Sequence, residues 1–537
     1  MATTGMRSGA QPPGGSRNLF VRNATGLVRE LNAFDAFNLV FSAVLIPVGI
    51  TEVMAFTPIF WPHANMLLSF LLATPLVATC GLVYLYFTVI MPRSGGDYVW
   101  VSRTLTPFLG FFVNFSITFV FLTWIAFNFT YMLAVMGPAA AYVGGWHSAA
   151  LTSPDNAELL VIATVLTALF TILMIFGVRV VARYMVITFA VVWVGMIAWL
   201  VAMAVGSHGH FVSAWNASSG TTFNSIISRA HGLGFSAAGG IGWGATIFGM
   251  IYSFQVYTGF QWTGYFAGEI RNVRRTATTS ILGALLISAI GYVAAVGLIY
   301  KYFGFQFFGA SVFMGLGGGA AHWNLPFHPY LPALVNFLPG PHWLLIFIAL
   351  CFVASILWWT PTGFMLGTRN LFAWSFDRLA PAQLTTVSDR FHTPVVATVT
   401  IGLIVELLNY LNIYQGLGAY LLNIIAVLAL AFIIVSLAAV ITPWRRPGLH
   451  AQAPGWARAR LAGLPVITWV GAISAISWGF VIYVAFHTGF GGSFGVKPML
   501  EAFSAPAIGI AYYIGARLYR RSQGMSFTQT FAEIPPE

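Results

Sequence analysis

Long apolar runs alternate with short polar connectors along most of the chain. A run of about 20 apolar residues can cross the hydrocarbon layer as a helix, whereas a barrel strand needs only about 10. Twelve runs have the helical length, and they begin near residues 35, 66, 107, 157, 182, 240, 277, 343, 394, 417, 464 and 499. The pattern therefore predicts an all-α membrane protein with 12 transmembrane helices.

Two of these runs, the first and the sixth, are interrupted at mid-span depth. Residues 45–52 bring Pro47, which lacks a backbone donor, and Gly49, which resists helical order, into the first run. Residues 255–261 bring polar groups and a glycine into the sixth. Inside a bilayer, irregular backbone persists only against protein or a water-filled cavity, so both interruptions suggest a binding place. For the first run alone, an ordinary proline kink is an equal alternative.

The spacing of the interruptions predicts an internal symmetry. Four uninterrupted runs separate the two discontinuous helices, which is typical of a five-plus-five inverted repeat (LeuT-like) whose broken helices meet near the midplane. Repeat one would cover 35–205 and repeat two 240–442, with two additional C-terminal helices in 443–517. We predict terminal tails at 1–34 and 518–537, an external loop at 206–239, and an outer connector rather than a lid at 301–342.

Composition and charge define the class and the orientation. Apolar residues make up 58% of the chain, charged residues 7%, and the mean hydropathy is +0.82, which excludes a soluble globule. Of 24 Lys and Arg residues, 21 fall on the side that holds both termini, and only Arg229, Lys301 and Lys497 on the other. This asymmetry predicts a multi-pass plasma-membrane protein with both termini cytoplasmic. The net charge of +11 is too dispersed for nucleic-acid binding.

Several polar or reactive residues lie within the apolar runs. The third run carries Asn114, Trp124, Asn128 and Tyr131, which together favour an interior-facing helix, whereas any one Trp or Tyr alone is better explained as an interface anchor. Cys80 and Cys351 both lie in apolar runs, and we interpret them as core residues. The spacing of the outer histidines His208, His210 and His231 does not fit a zinc site, so no metal and no cofactor beyond a coupling ion is expected.

Three stretches resemble the amino acid-polyamine-organocation (APC) transporters. The loop Pro92–Tyr98 is similar to the family's P-x-[SA]-G-G-x-Y motif. Thr258–Asn272 is similar to its G-F followed by E-[IV]-[KR]-N, and Thr368–Pro381 to its [ST]-R-x-L-[FY]-A…D-x-x-L-P. Each motif is degenerate alone, but their order and spacing fit over much of the chain. On these residues the chain is identified as a member of the family.

The resemblance implies a substrate class and a site. The substrate would be an amino acid or a related amine, with an α-carboxylate held by amides of the first break and an ammonium received by carbonyls of both breaks. Carried over by position, the substrate-binding residues are Ile46, Pro47, Val48 and Gly49 in the first break, and Gln255, Val256, Tyr257, Thr258 and Gly259 in the second. Pro47 departs from the family's glycine-rich pattern and removes a donor. This departure raises the prospect of an amine or an unusual amino acid as substrate.

Coupling to H⁺ or Na⁺ has separate candidate residues. Glu52 is the strongest candidate for proton exchange, or for attracting a cationic substrate, unless it is merely solvated in an outer vestibule. A sodium ion would take oxygens from Ala43, Ile46, Thr360 and Thr362, although threonines in membrane helices often bond their own preceding turn. Some proton-driven members of the family carry a lysine in the fifth run, and the comparable position here is Val191, which argues against lysine-based coupling.

The remaining acidic residues are assigned structural roles. Glu406 is predicted to make a packing or interhelical contact, and Asp377 and Asp389 to form ion pairs with nearby arginines.

The sequence as a whole favours a secondary active transporter working by alternating access. A non-transporting sensor or receptor for amino acids on the same fold is the alternative. An enzyme is not expected, because no paired carboxylates, metal set or activated nucleophile share one depth. The partners implied are a small-molecule substrate and the lipid bilayer, and the sequence identifies no protein partner.

Overall fold

Helices dominate the structure, a computed structural model that describes residues 30–148, 152–236, 242–417, 421–488, 496–524 and 531. The first half of the chain forms α1 (Ala33–Val44), α2 (Ile46–Phe60), α3 (Met66–Ile90), α4 (Asp97–Thr104), α5 (Pro107–Tyr131), α6 (Gly137–Gly144), α7 (Asn156–Ile175), α8 (Val178–Val205), α9 (His208–Ser218), α10 (Phe223–Gly232) and α11 (Trp243–Tyr257). A π-helical turn, Met132–Met136, joins α5 to α6.

The second half begins with two short 3₁₀ segments, Phe260–Gly264 and Ala267–Glu269. It continues with α12 (Val273–Phe303), α13 (Phe305–Leu316), α14 (Leu331–Leu334), α15 (His342–Phe376), α16 (Val395–Gln415), α17 (Leu421–Arg445), α18 (Pro447–His450), α19 (Gly455–Arg458), α20 (Val466–His487) and α21 (Val496–Ser522). Further 3₁₀ turns are Ala320–His322, Val335–Phe337 and Ala382–Thr385. A two-stranded hairpin, β1 (Arg460–Leu461) with β2 (Leu464–Pro465), precedes α20.

The structure confirms the predicted class, an all-helical membrane protein. Within the described residues, ten helical segments are long and apolar enough to cross a membrane, the first being α1 with α2. Two predicted runs are not among them. The sixth, α11, spans only 15 residues because it ends at its break, and the last, α21, carries a basic end at Arg520 and Arg521. Twelve spans, the inverted repeat and the orientation of the termini remain predictions.

The packing brings the first helix into the centre of the bundle. α1 begins with a capping box, in which the Asn32 side chain accepts from the Asp35 amide while the Asp35 carboxylate accepts from the Asn32 amide. The helix packs against α12, α15 and α8, and α3 packs against α12 and α20. Most residues of α1 and α2 are buried, whereas α7 and α8 expose large aliphatic side chains such as Val161 and Ile187 as a lipid-facing surface would.

Two connectors contain more structure than the sequence suggested. The 206–239 segment holds α9 and α10, and its His208 and His210 contact the carbonyl and the hydroxyl of Tyr302. The 301–342 segment, predicted as a simple connector, contains α13 and α14 and delivers Tyr330 to the central cavity. The connector prediction was wrong because apolar residues in this segment pack into the core, as buried Phe307 and Leu331 do.

Candidate functional site

A cavity of about 320 Å³ lies where the two interrupted helices meet. Residues from both breaks and from α5 and α15 line it, together with Tyr330. The lining consists of Ala43, Val44, Leu45, Val48, Gly49, Glu52, Phe56, Trp124, Phe127, Asn128, Tyr131, Val135, Gln255, Val256, Thr258, Tyr330 and Trp359. Three of the polar and aromatic residues predicted to make α5 an interior-facing helix, Trp124, Asn128 and Tyr131, are among them.

The first break is a single residue. Leu45 adopts a left-handed conformation with φ +47°, so α1 ends before it and α2 begins after it. Pro47 therefore falls in the first turn of α2, where a missing N–H costs little. Gly49 donates to the Leu45 carbonyl at 2.9 Å. Of the predicted cradle, Val48 and Gly49 line the cavity, whereas Ile46 and Pro47 do not.

The second break follows α11 at Thr258 and Gly259. Gly259 has φ +133°, and a Cβ placed on it would lie 2.6 Å from the Ala43 carbonyl carbon, so glycine allows this backbone to touch the end of α1. Its amide donates to Gln261 Oε1 at 2.8 Å. Gln255, Val256 and Thr258 line the cavity.

The other two residues predicted at the second break lie apart from the cavity. Gly259 packs on α1, and the Tyr257 hydroxyl instead bonds Thr74 on α3 at 2.8 Å. The two breaks thus meet as predicted, but fewer of their residues reach the cavity than the resemblance implied.

Tyr292 of α12 holds the two breaks together, and sequence reasoning missed it. Its hydroxyl lies 3.0 Å from the Val44 carbonyl and 3.4 Å from the Val256 carbonyl, and it can donate to either. A Cβ on Gly49 would come within 2.4 Å of the same hydroxyl. Gly49 is therefore needed for close packing at this junction. The signal available in the sequence was only a tyrosine inside an apolar run.

Glu52 is the charged side chain of the cavity lining. It follows Val48 by four residues on α2, so both lie on one face of that helix. Within the described residues no hydrogen bond or ion pair reaches its carboxylate, although it lies within electrostatic range of the Tyr131 and Tyr292 hydroxyls. The Glu52 side chain is half-buried, and a partly desolvated carboxylate without a protein partner is stabilised by a proton or a cation.

Four further polar atoms at the cavity have no partner in the described structure. They are the side-chain oxygens of Asn128 and Gln255, the hydroxyl of Tyr131 and the indole nitrogen of Trp359. All four residues are buried, with at most 6% of their surface exposed. Buried polar atoms are normally hydrogen-bonded, so this group marks the cavity as a place for a polar ligand or water.

The hydroxyls of both predicted sodium ligands on α15 have protein partners. The Thr360 hydroxyl donates to the Ile356 carbonyl of its own helix at 2.8 Å, and the Thr362 hydroxyl pairs with Ser42 at 2.9 Å. Ala43 lines the cavity, whereas Ile46, Thr360 and Thr362 do not. Thr360 therefore bonds the preceding turn of its own helix, which was the alternative to a role as a sodium ligand.

The side of the bundle where α1 begins, here called the N-terminal side, is closed by a buried ion pair. Arg369 of α15 binds the Glu269 carboxylate through two nitrogens at 2.7 and 2.8 Å, and both side chains are 1% exposed. Leu31 also pairs with the backbone there, donating to the Glu269 carbonyl at 3.0 Å while its own carbonyl accepts from Arg271 at 3.3 Å. These contacts tie the second broken helix to α15 and to the start of α1.

A buried carboxylate, Asp97, lies on the same side. Its oxygens accept from the Tyr84 hydroxyl at 3.0 Å, the Tyr265 hydroxyl at 2.5 Å and the Asn114 amide at 2.7 Å. Burial raises the pKa of Asp97 to about 6, because desolvation outweighs these three hydrogen bonds and the hydrogen bond from the Tyr98 backbone, all of which lower it. Helices α3 and α5 and the segment after α11 therefore meet at this acid, the first residue of α4.

The predictions for the remaining acidic residues have mixed outcomes. Asp377 is ion-paired as predicted, but its partner is Arg103 of α4 at 2.7 Å and not an arginine near it in sequence; both side chains are 1% exposed. Asp389 is exposed and has no ion pair within the described ranges, so that prediction was wrong. Glu406 makes the predicted interhelical contact, accepting from Thr164 of α7 at 2.5 Å.

Two further predictions concern a helix position and the cysteines. Val191 is 44% exposed on α8, so this position faces away from the bundle and not toward the cavity. Cys80 and Cys351 are free and buried, which confirms them as core residues.

The three stretches that carry the family resemblance converge in space. Asp97 and Tyr265 join the first stretch to the second, and Glu269 and Arg369 join the second to the third. A family model described as "Amino acid permease" matches residues 31–502. A search of curated proteins found no match. Since the matched region covers most of the chain and includes both broken helices, the protein belongs to the APC amino acid permease family.

Proposed function

We propose that this permease is a secondary active transporter that moves amino acids or related amines across the plasma membrane by alternating access. The observation that carries the proposal is the cavity at the junction of the two broken helices, with unpartnered polar atoms and a carboxylate at its wall. Such junctions are where transporters built from discontinuous helices bind their solutes. The charge asymmetry of the sequence supports cytoplasmic termini.

Alternating access needs a barrier that can open on each side of the site. The Arg369–Glu269 and Arg103–Asp377 pairs close the N-terminal side. Lining residues such as Phe56 and Tyr330 extend the cavity toward the opposite side, where α2 ends and α15 begins. We assign the described conformation to the state closed on the N-terminal side, and we infer that transport requires both ion pairs to separate.

For coupling, we propose H⁺ exchange at Glu52 rather than Na⁺ binding. Glu52 reaches the cavity without a protein partner, whereas the hydroxyls of Thr360 and Thr362 are engaged elsewhere. A proton at Glu52 would neutralise the carboxylate and compete there with a cationic substrate. An imposed pH gradient should then drive or oppose uptake, while an imposed Na⁺ gradient should have no effect.

Uptake into proteoliposomes tests the function. The purified full chain, reconstituted with unlabelled substrate inside, should accumulate labelled substrate by exchange. Protein-free liposomes supply the background. Saturable binding in detergent without accumulation or exchange in proteoliposomes would refute transport and indicate a sensor.

A further inference from the structure

The cavity presents one formal charge, and it is negative. Of the described residues in the lining, Glu52 is the charged one, and neither a lysine nor an arginine is among them. The carboxylate has no hydrogen bond or ion pair within the described structure, and Asn128 and Gln255 add unpartnered oxygens nearby. This arrangement favours a ligand that donates hydrogen bonds and carries a positive charge.

The α1 terminus adds to this preference. Pro47 follows Ala43 by four residues and has no N–H, so the usual helical bond to the Ala43 carbonyl cannot form. Ala43 lines the cavity at the negative end of the α1 dipole. An ammonium placed there would meet a carbonyl end and the Glu52 carboxylate together.

The first turn of α2 offers a ligand carboxylate few donors, and the other donors of the lining without a partner in the described structure are the Tyr131 hydroxyl and the Trp359 indole N–H. In the first turn of α2, Pro47 has no amide proton, the Gly49 amide is bonded to Leu45, and Ile46 does not line the cavity. Val48 is the lining residue of that turn whose backbone amide has no hydrogen bond among the described residues. It stands on the same helix face as Glu52, at a separation of about 6 Å between Cβ atoms, so an ionised Glu52 would repel a carboxylate bound there.

Six aromatic residues form another part of the wall, beside aliphatic residues such as Val135 and Val256. Phe56, Trp124, Phe127, Tyr131, Tyr330 and Trp359 contribute rings. Phe127 stacks on Tyr131 with centroids 5.3 Å apart, and Tyr131 meets Tyr330 edge-on at 6.1 Å. Rings attract cations through their faces and bury apolar bodies. A second ammonium would have no second carboxylate to pair with.

We propose, as a deepening of the transport function proposed above, that the substrate is a primary monoamine with an aromatic or branched apolar body. Its ammonium pairs with Glu52 and the end of α1, and its body packs among the rings of Phe127, Tyr131 and Tyr330. An α-carboxylate is not required and weakens binding. The charge count, the missing amides and the aromatic wall carry this assignment independently of one another.

A matched ligand panel tests it on the purified full chain in detergent, by equilibrium binding. The probes are 2-phenylethylamine, L-phenylalanine, 3-phenylpropionate and 1,4-diaminobutane, which vary the carboxylate and the charge while keeping simple bodies. Isopentylamine and L-leucine repeat the comparison with a branched body. We expect each monoamine to bind at least about tenfold more tightly than its amino acid, and the propionate and the diamine not to compete.

The variant arm is Glu52→Gln, with Glu406→Gln as the matched control because Glu406 lies outside the cavity on α16. Glu52→Gln should weaken phenylethylamine binding by about 30-fold or more, and Glu406→Gln by less than twofold. If Glu52→Gln does not fold, the wild-type panel decides alone. Tighter binding of either amino acid than of its amine, or no binding of any monoamine, would overturn the proposal.

Flux separates this inference from the proposed function. Exchange of the amino acids but not of the monoamines in proteoliposomes would refute the substrate class and leave the transport function standing. Tight binding of the monoamines without exchange of any probe would refute the transport function and leave the substrate class standing.

Discussion

The Arg369–Glu269 pair should control how firmly the N-terminal side stays closed. Both side chains are 1% exposed and joined by two short hydrogen bonds. Removing one partner of such a buried pair leaves the other charge uncompensated and typically costs about 3–5 kcal/mol. Arg369→Met should therefore weaken the closed state by on the order of a hundred- to several-thousand-fold.

Hydrogen exchange of the backbone measures this opening. The amides of Leu31 and Arg271 lie in the pairing that the ion pair supports, so both should exchange faster in Arg369→Met. The thermal midpoint in detergent should fall in parallel. Glu269→Met in the Arg369→Met background removes the orphaned charge and should recover at least half of the loss.

Two results would refute this reasoning. One is wild-type exchange in Arg369→Met, which would mean that the pair contributes nothing to closure. The other is a double variant as damaged as the sum of the single variants, which would mean that the two charges do not interact.

Three further predictions follow from the junction and from Asp97. Because its folded pKa is raised to about 6, Asp97 favours the folded state only while protonated. Thermal stability should therefore fall by about 3 kcal/mol as pH rises from 4 to above 6, and a pH profile unchanged in Asp97→Asn would contradict this. Tyr292→Phe removes the donor to the Val44 and Val256 carbonyls and should lower the free energy of unfolding by about 1–3 kcal/mol, against a smaller loss for Tyr257→Phe; equal shifts of the thermal midpoint would contradict the bridging role. Gly259→Ala should destabilise strongly, since its Cβ would strike Ala43 at φ +133°, whereas Gly283→Ala on α12 meets only ordinary contacts at 3.7 Å and should be neutral or stabilising. Similar thermal midpoints for the two glycine variants would contradict the close approach.

The sequence by itself determined the class, the family and the place of the breaks. Run lengths and composition identify helices that lie in lipid, because a long apolar helix makes all of its backbone hydrogen bonds internally there. Proline and glycine act on the backbone locally, so the interruptions near Pro47 and Gly259 are visible without any fold. That Asp377 would be ion-paired followed from the arginines around it, but its partner, Arg103 of α4, is brought near only by the tertiary structure.

Only the tertiary structure decided which side chains reach the cavity. One left-handed residue, Leu45, sets the rotation of α2, so Val48 and Glu52 face the cavity while Pro47 does not. Tyr292 and Tyr330 join the site from segments far away in sequence, and the residues around them in the sequence do not predict these contacts. The partners of Asp97 and Glu269 likewise come from distant helices. Such contacts depend on helix rotation and packing, which hydrophobic periodicity does not specify when most of a helix surface is apolar.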